Sequence, residues 1–165
     1  MSPARINFEQ IRISTFTNVT LSSETLANSS ISTNVTSSNN ENDIIIGRRG
    51  EEFVYKYLQW KYPNREIQWI NKDGESGQPF DIRMILKGKE NKIDLIEVKT
   101  TRLSTQNTFP ISMREVECLI SNQNNYHIYR VYYSNDEISS TITILSQIKY
   151  YLEQKHLSLS MTIPS

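Results

Sequence analysis

The sequence predicts one α/β domain over residues 44–165, preceded by a disordered tail over residues 1–43. Three observations carry that prediction. Segments with apolar residues at helical spacing are interspersed with β-branched and aromatic runs. Turn formers gather in short breaks between them, as in residues 71–77, which hold two of the five glycines. Up to residue 43 the chain is dominated by Ser, Thr and Asn, in runs such as Asn28-Ser29-Ser30 and Ser37-Ser38-Asn39-Asn40, too polar to offset the entropy of ordering. The 165 residues with 37 % hydrophobic content suffice for one ordinary core because the apolar residues are concentrated.

From Gly47 to Tyr62 the residues Phe53, Val54, Tyr57 and Leu58 recur at helical spacing, and Pro63-Asn64 supplies a stop; this is the first helix. Ile67 to Ile70 is a short β-prone run, followed by the turn formers Asn71-Lys72-Asp73-Gly74-Glu75-Ser76-Gly77. Phe80, Ile82, Met84 and Leu86 alternate on one face, Lys87 to Lys92 is a polar turn around Gly88, and Ile93 to Val98 is nearly all apolar, so a hairpin with a central second strand is expected. Ser112-Met113-Arg114-Glu115 has the form of a capping box ahead of the stripe Val116, Leu119, Ile120, which starts a second helix near Ser112. Tyr126 to Tyr133 and Thr141 to Leu145 are β runs, and Ile148, Tyr151 and Leu152 suggest a short third helix. The order reads α-β-β-β-α-β with a strand and a helix appended.

Composition narrows the function classes. The chain carries 18 basic and 18 acidic residues; setting aside Arg5 and Arg12 with Glu9, Glu24, Glu41 and Asp43 of the tail leaves 16 basic and 14 acidic in the domain. That balance neither demands nor excludes nucleic acid, since phosphate binding needs a local basic groove rather than a high total charge. Cys118 is the single cysteine, so no intrachain disulfide forms and an intracellular protein is expected, in nucleus or cytoplasm. No apolar run approaches the roughly 20 residues that span a bilayer, and no membrane association is expected.

The hairpin carries the candidate chemistry. A turn about residues 89 and 90 pairs Asp81 with Val98 and sets it diagonal to Glu97 and Lys99, roughly 5 to 8 Å away. Glu97 and Lys99, two apart, point to the same face as Leu95 and Ile93. A Glu and a Lys at the end of a buried strand each need a partner, because desolvating either charge costs several kcal/mol. A metal ion or a tight ion pair provides one. Two carboxylates offer oxygens to Mg²⁺ or Mn²⁺, which keeps its other positions for water and phosphate oxygen. Such an ion activates water and offsets charge at phosphorus, while an ammonium orients the attacking water. Asp81 and Glu97 are thus the expected metal ligands and Lys99 the water-orienting group. Glu51 lies on the core-facing side of the first helix, where it either meets backbone amides or reaches the metal through water.

These residues resemble the PD-(D/E)xK nuclease superfamily: Pro79-Phe80-Asp81 as the first acidic motif, Glu97-Val98-Lys99 as the second, and Gly50-Glu51 on the preceding helix. More narrowly, Gly47-Arg48-Arg49-Gly50-Glu51-Glu52, Gly74-Glu75-Ser76-Gly77, Pro79-Phe80-Asp81-Ile82-Arg83, Ile96-Glu97-Val98-Lys99-Thr100-Thr101 and Tyr126-His127-Ile128-Tyr129-Arg130-Val131-Tyr132 resemble the protein NO VEIN C-terminal domain family, over nearly all of 44–165. The resemblance implies a restriction endonuclease-like αβββαβ core with a mixed central sheet flanked by helices. It also implies a Mg²⁺-dependent nuclease acting on DNA, in relatives that often carry an ATPase-type region as well. The alternative is a catalytically silent module that uses the same fold for protein or nucleic-acid interaction.

Other residues have two readings each. Arg48, Arg49, Lys72 and Arg102 contact a phosphate backbone or are plain solvated side chains. Tyr126, Tyr129, Tyr132 and Tyr133 stack on bases or, more in keeping with a strand, fill the core and sheet surface. His127 is expected to be a strand residue with an ordinary partner, and Cys118 a small residue packed within the second helix.

Overall fold

The computed structural model describes residues 12–15, 38–86, 88–103, 105–134 and 140–160. In chain order these form β1 (Arg12–Thr15), α1 (Ser38–Lys61), β2 (Arg65–Trp69), β3 (Ile82–Leu86), β4 (Lys89–Thr101), α2 (Met113–Asn122), β5 (Tyr126–Tyr132), β6 (Thr141–Leu145) and α3 (Ile148–Glu153). From α1 to β5 the order is the α-β-β-β-α-β read from the sequence, with β6 and α3 appended.

Strands β2 to β6 form a mixed sheet in the order β6-β5-β4-β3-β2, and β1 extends it at the β6 edge. β3 pairs antiparallel with both β2 and β4, β4 and β5 run parallel across the α2 connection, and β5 and β6 are antiparallel. Successive strand residues point to opposite faces, so β4, β5 and β6 each contribute to two cores. On one face Phe53, Val54, Tyr57 and Leu58 of α1 pack with Ile82, Met84, Ile96, Val98, Tyr129, Val131 and Ile142. On the other, Leu119 of α2 and Ile148 of α3 pack with Tyr126, Ile128 and Leu145. Tyr126, Tyr129 and Tyr133 are buried, so those three aromatics are core side chains.

The segment expected to be a disordered tail differs from that expectation in two places. Residues 38–43 are the start of α1, and Arg12–Thr15 pairs in parallel with Thr141–Ile144. Their polar composition hid both. A helix nucleated by the buried turns at Phe53 to Leu58 extends outward at one backbone bond per residue whatever the side chains, and Ile44 and Ile45 of this extension are solvent-exposed. A four-residue edge strand needs only backbone pairing. The remainder of residues 1–37 lies outside the described residues.

Candidate active site

Asp81, Glu97 and Lys99 converge where β3 begins and β4 nears its end. The pairing is one residue off the expected register: Ile82 faces Ile96, Arg83 faces Leu95, Met84 faces Asp94 and Ile85 faces Ile93. The cause is an irregularity beside the turn, where the register shifts between Ile85 and Leu86 and Leu86 pairs with Lys89. Carried one step beyond β3, this register sets Asp81 opposite Glu97 instead of Val98. The Asp81 amide donates to the Ile96 carbonyl at 3.0 Å and its Oδ2 accepts from the Val98 amide at 2.8 Å, so the aspartate brackets residue 97 from across the ladder.

The loop before β3 fixes the other carboxylate oxygen. Asn71 Nδ2 donates to Asp81 Oδ1 at 2.7 Å, while Asn71 Oδ1 accepts from the Ser76 amide at 3.0 Å and from Ser76 Oγ at 2.6 Å. This folds 71–76 into a closed turn, and Gly77 follows at φ +68°, the left-handed region where a side chain is strained. The turn formers of this stretch thus build the support for Asp81.

Lys99 Nζ lies 2.7 Å from Glu97 Oε1 and 3.1 Å from both carboxylate oxygens of Glu115. Glu115 is also the third residue of the α2 capping box: its Oε2 accepts from the Ser112 amide at 2.8 Å, and Ser112 Oγ accepts from the Glu115 amide at 3.3 Å. The first turn of α2 is therefore tied directly to Lys99.

Glu51 is buried on α1, with Oε2 accepting from Trp69 Nε1 at 2.8 Å. The neighbouring Gly50 allows this approach. A Cβ built there would stand 1.8 Å from Thr100 Oγ1 and 2.8 Å from Thr100 Cβ, so only glycine lets α1 lie against β4 at this level. Glu51 contributes to the charge felt by Asp81, which puts it within electrostatic reach of the hairpin end.

Burial and crowding of like charges dominate the electrostatics. Burial raises Asp81 to about 7, with the Glu51 charge adding and the Val98 amide and Lys99 opposing. Burial raises Glu97 to about 8, with Asp81 adding and Lys99 opposing. Glu51 is raised by burial, helped by Glu75 and Glu97 against the Trp69 bond and Arg48. Burial works to deprotonate Lys99, but Glu97 and Glu115 outweigh it and leave its pKa above the ordinary lysine value. Glu97 and Glu115 thus contact one ammonium that Asp81 also feels, while Glu51 adds negative charge near Asp81 and Glu97. The excess negative charge is relieved by protons or by a cation.

The remaining candidates are dispersed. Arg48 donates to the backbone carbonyls of Asn71 and Lys72 and stacks on Trp69 at 5.2 Å, so its guanidinium holds the loop. Arg49, Lys72 and Arg102 are exposed. His127 has the ordinary partner expected: Nδ1 lies 2.9 Å from Ser146 Oγ, and Nε2 lies 3.7 Å from Asp94. Cys118 lies in α2, partly buried, with Sγ 3.4 Å from Asn122 Nδ2. Asn71, Trp69 and Glu115 are the residues that reading the sequence missed as site residues. Glu115 had a local signal as a cap, but its hold on Lys99 spans 16 positions and left no pattern.

Similarity to known proteins follows the same stretch. The family model described as protein NO VEIN, C-terminal, matches residues 50–144, more than half of the chain, from Gly50 to Ile144 within β6. Protein NO VEIN-LIKE of Arabidopsis thaliana is 28 % identical over 120 residues, covering 72 % of this chain and 18 % of that protein. Protein NO VEIN of the same plant is 28 % identical over 123 residues, covering 72 % of this chain and 4 % of that protein. The chain therefore corresponds to less than a fifth of either relative. No solved structure matches it. The stretch that builds the Gly50 approach, the Asn71 loop and the Asp81, Glu97, Lys99 convergence is the one the family model spans, and the chain belongs to the protein NO VEIN C-terminal family.

Proposed function

We propose that this chain is a metal-dependent nuclease domain of restriction endonuclease-like build that hydrolyses phosphodiester bonds of DNA. One observation carries the reading: two buried carboxylates, Asp81 and Glu97, face each other across the β3–β4 hairpin with the Lys99 ammonium 2.7 Å from the second.

The donor set fits a hard cation. Among the described residues no group of three or more His, Cys, Asp or Glu side chains is arranged to hold a metal. Zinc and calcium cages draw on such groups, whereas Mg²⁺ is commonly held by one or two carboxylates, with water and phosphate oxygen completing its octahedron. Asp81 and Glu97 would hold Mg²⁺ or Mn²⁺, and the raised pKa values of both describe carboxylates that gain from a cation. Bound there, the ion would acidify a water molecule and offset charge at phosphorus. Lys99 would orient the attacking water and neutralise charge developing on the phosphate. Glu115 keeps the ammonium in place, Asn71 and the Val98 amide fix the Asp81 carboxylate, and Glu51 supports the site from α1.

Purified chain should cleave plasmid or branched DNA when Mg²⁺ or Mn²⁺ is added, and Glu97→Gln should slow cleavage by about a hundredfold or more while melting no lower than the parent. A folded Glu97→Gln protein that cleaves at the parental rate overturns the assignment.

A second reading has its own observation. Each charge at the site already has a protein partner: Lys99 is shared by Glu97 and Glu115, and both oxygens of Asp81 accept hydrogen bonds. Such closure suits a silent interaction module. Calorimetric titration with Mg²⁺ separates the two, since a silent module gives no heat that disappears in Asp81→Ala.

A further inference from the structure

Arg130 is buried in the sheet with 4 % of its surface exposed, yet no carboxylate among the described residues pairs with it. A guanidinium stays charged at any physiological pH and carries five N–H donors. Its surroundings here use few of them. One terminal nitrogen donates to the Gln106 carbonyl at 3.2 Å, the rings of Phe109 and Tyr132 lie 5.3 and 5.6 Å away, and the buried Nε–H has no acceptor. Two ring faces and the Tyr132 side chain favour the cation without a full counter-charge, and the Nε–H remains without an acceptor. Position gives this a direction. Arg130 is paired with Lys99 in the parallel β4–β5 ladder, and paired residues share a face, one strand spacing of about 4.8 Å apart.

We propose that Arg130 anchors a phosphate subsite for the nucleic-acid strand, beside the Asp81, Glu97, Lys99 centre. The phosphate oxygens accept from the Nε–H and a terminal N–H in the forked geometry that guanidinium groups offer to oxyanions. The incoming oxyanion replaces the Gln106 carbonyl. That carbonyl belongs to the connection from β4 to α2, so binding loosens residues 105–110 and draws the substrate toward Lys99. The anion site stands on the buried Arg130 guanidinium, which has no carboxylate partner among the described residues and an Nε–H without an acceptor; its reading as a nucleic-acid phosphate rests on the proposed nuclease function.

The test follows the Arg130 Nε–H signal of the ¹⁵N-labelled full chain by NMR, without divalent metal so that nothing is cleaved. Inorganic phosphate, a short single-stranded oligonucleotide and an acidic peptide are titrated in separate arms. Saturable movement of that signal with phosphate and with the oligonucleotide is expected, and Arg130→Lys should bind the oligonucleotide about tenfold more weakly. A stationary signal at concentrations where the oligonucleotide is bound overturns the proposal whether or not the variant folds. So does movement with the peptide alone, or unchanged affinity in a variant that melts like the parent. If the signal moves and the variant weakens, but no DNA is cut when Mg²⁺ is added, the subsite stands and the nuclease reading falls. If DNA is cut and Arg130→Lys leaves KM unchanged, the subsite falls and the nuclease reading stands.

Discussion

Removing the Lys99 amine leaves Glu97 and Glu115 facing each other with side chains only 8 % and 14 % exposed. Breaking a buried pair from one side costs about 3 kcal/mol or more, because the surviving charge is stranded. Lys99→Met should therefore melt well below the parent, while Glu97→Gln, which keeps an oxygen facing the ammonium, should not; thermal denaturation above pH 8, where Glu97 carries its charge, compares them. The same cluster sets a pH dependence. Asp81 and Glu97 have folded pKa values of about 7 and about 8 against ordinary values of 3.8 and 4.5, so the folded state binds more protons than the unfolded state across that interval. Their contribution to stability is complete below the ordinary values and is lost as pH rises through 7 to 8. Metal-free protein should show a melting temperature that falls from about pH 5 to about pH 8.5, and Glu97→Gln should flatten the slope. A slope equally steep in the variant would remove Glu97 as its source.

Elements differed in how much of themselves they wrote into the sequence. The start of α2 was legible because a capping box is local, with Ser112 and Glu115 three positions apart and each satisfying the other's backbone amide. The register of the β3–β4 hairpin was not, because it depends on how the turn near Gly88 places an irregularity rather than on the strands' own alternation. The contact of α1 with β4 was legible only as a glycine with no stated purpose. Gly50→Ala places a methyl group inside Thr100, so the helix must shift away from the strand that carries Glu97 and Lys99. Overpacking of this kind costs about 1 to 3 kcal/mol. Chemical denaturation should show a loss in that range, and adding Thr100→Ala, which removes the nearest atom, should return part of it. If the double variant is no more stable than Gly50→Ala alone, Thr100 is not the obstacle.

At the scale of the whole molecule, helix and strand order was readable because two alternating faces and one amphipathic helix leave periodic marks, whereas pairing of a polar segment with a sheet edge leaves none. That contrast locates the stability. Among the described residues, the two buried clusters with the hydrophobic side chains packed on them run from Phe53 to Leu157, and none of these members precedes α1. β1 adds the pairing of four residues with the outer edge of β6. A chain beginning at Ser38 should therefore keep a cooperative unfolding transition within a few degrees of the parent, since among the described residues it loses backbone pairing at one edge and no member of either cluster. Its new edge has a cost of another kind. Thr141 to Leu145 is short, β-prone and uncharged, and without β1 it presents unpaired backbone groups as a template for another strand. Concentration-dependent self-association, read by sedimentation velocity, should rise in the truncated chain and be suppressed by Thr143→Lys at that edge. A truncated chain that loses its transition would instead place part of the core before residue 38.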